Sequence, residues 1–185
     1  MLKISLPGSA PWAPLSAKGR RLHKKAATRG GRESYIMEIE RKFLIQKLPE
    51  DLEKFPFHTL EQAYLCTEPV VRVRRSDEEY TLTYKSKGLM SREEYNLPLT
   101  AESYEHLKAK ADGNVICKRR YLIPLDAALT IELDIFEPPF QGLILAEVEF
   151  PTEEAARAFL PPDWFGEEVT WSAEYHNSVL SQKKF

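Results

Sequence analysis

Between Met37 and Phe150 the chain repeats one pattern: short segments in which charge and bulk alternate with a period of two. That period belongs to β-strands, whose successive side chains point to opposite faces. It predicts strands near 37–45, 61–67, 70–75, 79–87, 91–98, 115–124, 129–136 and 143–150. In nearly every one, charges two residues apart carry the same sign. Glu38 and Glu40 precede Lys42 in "EIERK"; Arg72 and Arg74 stand in "VRVR"; Lys85 and Lys87 close "TLTYKSK". Lys118 and Arg120 share a face of "KRRYLI", Glu132 and Asp134 of "IELDIF", and Glu147 and Glu149 of "LAEVEF". Arg92, Glu94 and Asn96 share a face of "SREEYNL". Eight bases and seven acids thus line single faces of strands.

Two arrangements accommodate this. One is an antiparallel sheet with its charged face in water, the common fate of such sheets. The other is a closed sheet turned inside out, its apolar faces under helices and its charged faces lining a lumen. Like charges two apart on one face sit roughly 6.5–7 Å from each other and repel mildly. Blocks of one sign are an odd choice for a solvated surface and a sensible one for an anion site backed by metal ligands. Amphipathic helices are available to cover the outside. Thr100 is the expected N-cap of "LTAESYEHLKAKA" and Thr152 that of "TEEAARAFL", which Pro161 and Pro162 should stop. A last helix is expected from about Ala173 to Gln182 and a short helical turn over 49–55. Trp164, Phe165 and Trp171 should pack the closing helix. Arg41, a charge on the apolar face of its strand, should reach solvent past the helices. In the inside-out arrangement Ile39, Phe43 and Ile45 point outward.

Net charge is −2, but its distribution is uneven. Residues 1–36 carry eight bases and one acid, leaving −9 on residues 37–185. An acidic body disfavours nucleic acid. No run of 18 apolar residues exists to span a membrane. Cys66 and Cys117 lack metal-ligand spacing, which fits a reducing cytoplasm. The first 36 residues, with four Gly, three Pro and clustered cations, are expected to be disordered. They read either as a transit-like targeting segment or as the product of an upstream start codon ahead of Met37. The domain division that follows is 1–36 as a basic extension and 37–185 as the folded domain.

The charged motifs, taken in order, are similar to those of a known family. "EIERK" resembles the ExExK strand of the CYTH superfamily, the triphosphate tunnel metalloenzymes. "VRVR", "TLTYKSKG", "SREEY", "KRRYLI", "IELDIF", "LAEVEF" and "WFGEEVT" continue the resemblance across 37–185. It implies an α+β, mainly β fold: an eight-stranded antiparallel barrel with a charged lumen and helices packed outside. It implies hydrolysis or cyclisation of a triphosphate with Mg²⁺ or Mn²⁺. The residue types suit that chemistry, since arginine grips phosphate oxygens bidentately and a hard divalent ion prefers carboxylate oxygen.

Residue by residue, the resemblance implies Glu38, Glu40, Glu147 and Glu149 as metal-side carboxylates. Lys42, Arg72, Arg74, Lys85, Lys87, Arg92, Lys118 and Arg120 form the phosphate cradle, with Lys42, Arg74, Lys85 and Arg120 as the catalytic members. Glu94, Glu132 and Asp134 are expected to hold these bases in place, and Tyr64 to orient a phosphate or act as a wall residue. The short bacterial members that open with "EIERKFL" resemble this chain, and they are inorganic triphosphatases. Tripolyphosphate cleaved to pyrophosphate and phosphate is therefore the expected reaction. Thiamine triphosphatase and nucleoside triphosphatase activities are alternatives. Class IV adenylate cyclases carry His-Phe ahead of ExExK where this chain has Arg32 and Glu33. A polyphosphate- or nucleotide-binding module without turnover is the non-enzyme alternative. The expected partner is a small anionic substrate, with no nucleic acid and no membrane; a homodimer suits the family, but no interface is legible.

Overall fold

The chain runs through eight strands: β1 (Met37–Leu44), β2 (Phe57–Thr67), β3 (Val70–Ser76), β4 (Glu79–Lys85), β5 (Ser91–Leu99), β6 (Asp112–Pro124), β7 (Thr130–Phe136) and β8 (Ile144–Glu149). They are seen in a computed structural model that describes residues 37–87, 91–126 and 128–185, with the backbone alone at Met37, Ser91 and Arg92. The expectations for residues 1–36 lie outside the described residues. Neighbouring strands are all antiparallel, and the sheet closes on itself in the order β1-β5-β4-β3-β2-β6-β7-β8.

The eight strands stand where the two-residue period placed them, with shifted ends. β2 begins four residues early and β6 three, because "FHTL" and "DGN" pair with neighbours without a clean alternation of their own. β4 stops at Lys85, two residues short of its expected end.

The faces are exchanged relative to an ordinary half-exposed sheet. Ile39, Ile123, Ile131, Leu133, Ala146 and Val148 form one apolar cluster outside the barrel, joined by Ala156 from a helix and by Phe159, Trp164 and Phe165. Ala63 and Val73 form a second with Tyr104. Helix α1 (Ala101–Lys108) brings Tyr104 down onto β2, β3 and β4. Its Thr100 cap accepts from Ser103 N at 3.1 Å. Helix α2 (Glu153–Ala158) is capped by Thr152, which accepts from Ala155 N at 3.1 Å. Each cap satisfies one backbone N–H that the first turn leaves orphaned.

A third apolar cluster lies within the barrel. Leu44, Tyr64, Val70, Ile116, Phe136 and Leu145 occupy lumen-facing positions of six strands and meet Phe140, Val169, Tyr175 and Leu180. They form a floor across one end of the lumen. The expected helix from Ala173 to Gln182 is broken to reach it: a 3₁₀ turn over Ala173–Tyr175 and helix α3 (Asn177–Leu180) flank an extended His176. Asn114 Nδ2 donates to Ser181 O at 3.2 Å and Lys183 O at 2.6 Å, tying the C-terminal segment to β6. Gly113 makes this docking possible. Its φ is +74°, and a Cβ there would lie 2.2 Å from Ser181 O.

The wall at β1 is completed in two ways. Met37–Ile39 pair with β5, whereas Lys42–Leu44 receive the segment 166–170. Gly166 N donates to Leu44 O at 2.8 Å, Leu44 N to Glu167 O at 2.9 Å, and Val169 N to Lys42 O at 2.8 Å. Arg41 does not run out to solvent, contrary to expectation. Glu168 takes two of its donors at 2.8 and 2.5 Å, and the carbonyls of Ala156 and Phe159 take a third at 3.0 and 2.9 Å. The end of α2 and the segment 166–170 supply acceptors that let this guanidinium stay beneath them. Trp171, expected in the packing, is 64% exposed. It follows the last residue of the segment that pairs with β1 and points away from the body.

Candidate active site

The lumenal positions divide by sign. β7, β8, β1 and β5, consecutive around the barrel, contribute Glu132, Asp134, Glu147, Glu149, Glu38, Glu40 and Glu94, with Lys42 the exception among the described side chains. β4, β3, β2 and β6, the other four, contribute Lys85, Arg72, Arg74, Lys118 and Arg120. Glu40, Lys42, Arg72, Lys85, Lys118, Glu132, Asp134 and Glu147 are all buried. Closure places two opposed arcs of charge across one narrow space, and strand register decides who meets whom.

Arg120 binds three acids. Its Nε and Nη2 reach Asp134 at 2.6 Å each, Nη2 also reaches Glu147 at 2.6 Å, and Nη1 pairs with Glu132. Burial opposes its charge, but Asp134, Glu132 and Glu147 outweigh burial and hold its pKa well above the ordinary value. Glu147 accepts from Lys42 Nζ at 2.8 Å. Burial raises the Glu147 carboxyl, yet Lys42, Arg120 and Lys118 pull it well below the usual range. Lys85 Nζ sits between Glu38, at 2.6 and 2.8 Å, and Glu94, at 2.6 Å. Burial likewise pushes the Glu94 carboxyl up, but Lys85 and Arg72 hold it far below the carboxylate range. Lys118 pairs with Asp134 and lies 5.1 Å over the Phe136 ring of the floor. Burial, aided by Arg120, outweighs Asp134 there and lowers the ammonium pKa to about 8. Arg72 donates to Gln62 Oε1 at 3.1 Å and lies against the Tyr64 hydroxyl.

The structure therefore gathers Glu38, Glu40, Lys42, Tyr64, Arg72, Arg74, Lys85, Glu94, Lys118, Arg120, Glu132, Asp134 and Glu147 around one lumen, with Glu149 exposed at the end of β8. Glu94, Glu132, Asp134 and Tyr64 each touch a lumenal cation. Two expected members stand apart. Lys87 is 82% exposed and pairs with Glu68, because β4 ends at Lys85 and the chain turns before the alternation can carry Lys87 inward. The Arg92 side chain lies outside the described residues. The pattern of charges passed over two neutral lumenal groups. Thr83 is fully buried and donates to Asn96 Oδ1 at 2.7 Å. Gln62 is 1% exposed. The available signal was parity: Gln62 falls on the same face of β2 as Tyr64.

Two acid pairs are set directly across strands, Glu40 opposite Glu149 and Glu132 opposite Glu147. Like charges so placed destabilise a sheet, and a divalent cation between them would relieve the repulsion. Their oxygen donors are those that Mg²⁺ or Mn²⁺ takes. Among the described residues no three such side chains already converge as a metal cage, since Glu147 is turned to Lys42 and Arg120. Occupancy of the acid arc by a metal would exchange these internal ion pairs.

Comparison with known proteins bears on this lumen. The CYTH domain matches residues 37–182. An inorganic triphosphatase of Nitrosomonas europaea is 41% identical over 150 residues, 79% of this chain and 97% of the relative. An inorganic triphosphatase of Acetivibrio thermocellus is 34% identical over 152 residues, 80% and 95% of the two chains. A crystal structure of an inorganic triphosphatase superposes with a TM-score of 0.62 at 37% identity, covering 80% of this chain and 95% of that one.

Proposed function

The chain belongs to the CYTH domain family, and we propose that it hydrolyses inorganic triphosphate to pyrophosphate and phosphate with Mg²⁺ or Mn²⁺. The observation that carries the reading is the two-signed lumen. A tripolyphosphate brings four to five negative charges near neutral pH, and the base arc offers five cations within one enclosure. Lys42 joins them from the acid arc.

Lys42, Lys85, Lys118 and Arg120 are paired with Glu38, Glu94, Glu132, Asp134 and Glu147. A bound triphosphate would take over Arg120, Lys85 and Lys42, releasing carboxylates on the facing arc. A divalent ion held by Glu40 and Glu149, with Glu38 and Glu147, would neutralise phosphate oxygens and polarise phosphorus toward water. Arg120 and Arg74 would then face charge that spreads over the phosphoryl oxygens as the bond breaks, from positions fixed before the substrate arrives. Asp134 and Glu132 hold the Arg120 fork in place, so little reorganisation is needed. Burial makes each of these interactions stronger than in water.

The floor favours a short inorganic substrate. Tyr64, Ile116, Phe136 and Leu145 block one end of the lumen. ATP, other nucleoside triphosphates and thiamine triphosphate are read as slow side substrates. Residues 37–185 are proposed as the working domain, with residues 1–36 dispensable. A cytoplasmic site is proposed on the two free cysteines, and no helix among the described residues is long and apolar enough to cross a membrane.

Release of phosphate from tripolyphosphate, ATP and thiamine triphosphate, with and without EDTA, tests the reading. Metal-dependent release is expected, with tripolyphosphate preferred at least tenfold. No metal-dependent release from any of the three would leave a binding module, and a tenfold preference for thiamine triphosphate would overturn the substrate assignment. A chain starting at Met37 is expected to keep full activity in the same assay.

A further inference from the structure

β2 is the one strand of the base arc with no lysine or arginine at its described lumenal positions, which are His58, Leu60, Gln62 and Tyr64. Gln62 lies among the cations all the same. It is directly opposite Arg74 on β3 and opposite Ile116, a residue of the floor, on β6. Its carboxamide is almost fully buried, and its orientation follows from chemistry. Arginine offers donors only, so the oxygen of Gln62 must face Arg72, which donates to it at 3.1 Å. The amide nitrogen must then face away from Arg72, and reversing the amide would set donor against donor. In that position Gln62 Nε2 has no hydrogen-bond partner among the described residues.

Buried donors without acceptors are rare and costly. Gln62 Nε2, fixed by its oxygen's bond to Arg72, marks a place where an acceptor is missing. The neighbours given by register cannot supply one: Arg74 is a donor and Ile116 is apolar. An anion arriving from outside can. The neutral amide also has an advantage over a sixth cation here. It donates without adding to the repulsion among Arg72, Arg74 and Lys118 while the lumen is empty.

We propose that Gln62 is a substrate-binding residue, and that its Nε2–H donates to a non-bridging oxygen of the triphosphate end that enters deepest. The assignment rests on the reading of the lumen as a triphosphate site. The adjoining floor, with Tyr64 next on β2 and Ile116 opposite, leaves no passage for an organic substituent. The phosphate held by Gln62 is therefore an unesterified terminal one.

The test compares wild type with Gln62→Met, which keeps an unbranched side chain of similar size and removes the donor, and Gln62→Glu, which keeps the oxygen facing Arg72 and removes the amide N–H. With tripolyphosphate and Mg²⁺, both variants should raise KM roughly ten- to a hundredfold, as loss of a hydrogen bond to a charged group does. kcat should change by less than about threefold if the contact is made equally before and during reaction. Thermal unfolding in EDTA, with and without tripolyphosphate, gives a readout independent of turnover. The ligand-induced rise in Tm should shrink in both variants, while ligand-free Gln62→Glu unfolds within about 3 °C of wild type. If Gln62→Met does not fold, Gln62→Leu carries the same expectation, since it too removes the donor without adding charge. Wild-type KM and ligand-induced Tm rise in the folded variants would overturn the proposal and leave the triphosphatase reading intact. A wild-type protein that neither binds nor cleaves tripolyphosphate would instead overturn that reading, and this assignment with it.

Discussion

The two arcs of the lumen are built from the same pleated strands with the same spacing, yet they solve opposite problems. In the base arc, Arg72 and Arg74, and Lys118 and Arg120, stand two residues apart and repel one another. In the acid arc, Glu132 and Asp134 do the same, and Glu40 and Glu147 face further acids across the strand pairs. Either arc alone would be an unstable surface for burial. Closure lets each compensate the other, and Arg120, held by Asp134, Glu132 and Glu147, is the main crossing point. The arcs differ in what they leave unmet. The base arc keeps a buried donor without an acceptor, whereas the acid arc keeps carboxylates opposed to carboxylates. A ligand that is both an anion and a metal carrier answers both.

The comparison can be broken most sharply at Arg120. Arg120→Ala removes the cation that three buried carboxylates share, so unfolding in urea should show a loss of about 3–5 kcal/mol. Its kcat/KM for tripolyphosphate should fall by at least about a hundredfold. A stable and active variant would mean that the arcs do not depend on this crossing. The acid arc should respond differently. Glu147→Gln leaves Arg120 with Asp134 and Glu132, so the fold should hold. The Mg²⁺ concentration needed for half-maximal rate should instead rise about 10- to 100-fold.

Lys118 sharpens the difference through pH. Its pKa of about 8 lies below that of an unfolded lysine, so between the two values the unfolded chain holds more protons. Its contribution to stability accordingly grows as pH rises from about 8 toward about 10.5. Its contribution to anion binding runs the other way. KM should climb above about pH 8 in wild type and stay flatter in Lys118→Arg, whose charge persists. The smallest effect is expected at Lys87, which belongs to neither arc. Lys87→Ala should leave KM within about twofold of wild type, because an exposed pair such as that with Glu68 is screened by water.

Much of this was legible before folding. The two-residue period predicts all eight strands, and same-sign blocks set one face of most of them apart, toward water or toward a lumen; the CYTH resemblance favours the lumen. Thr100 and Thr152 announced both caps. What stayed hidden depends on where alternation stops and on what other segments bring. Lys87 obeys the period in sequence but not in space, since β4 ends two residues before it. The outward-facing Arg41 looked like a surface charge because Glu168 and the carbonyls of Ala156 and Phe159 that hold it lie 115 or more residues away. The floor is invisible as a unit in the sequence because Leu44, Tyr64, Ile116, Phe136 and Leu145 are single residues on separate strands. Gln62 shares the face of Tyr64 but is neutral, and a charge pattern gives a neutral residue no role.

The central claim is that metal and phosphate occupy opposite arcs of one lumen. A crystal structure with a non-hydrolysable triphosphate analogue and Mn²⁺, with manganese located by anomalous scattering, tests it most directly. Manganese is expected against Glu40 and Glu149, with Glu38 and Glu147 nearby, and the phosphates against Arg72, Arg74, Lys118 and Arg120. Manganese on the base arc, or phosphates bound outside the barrel, would contradict it.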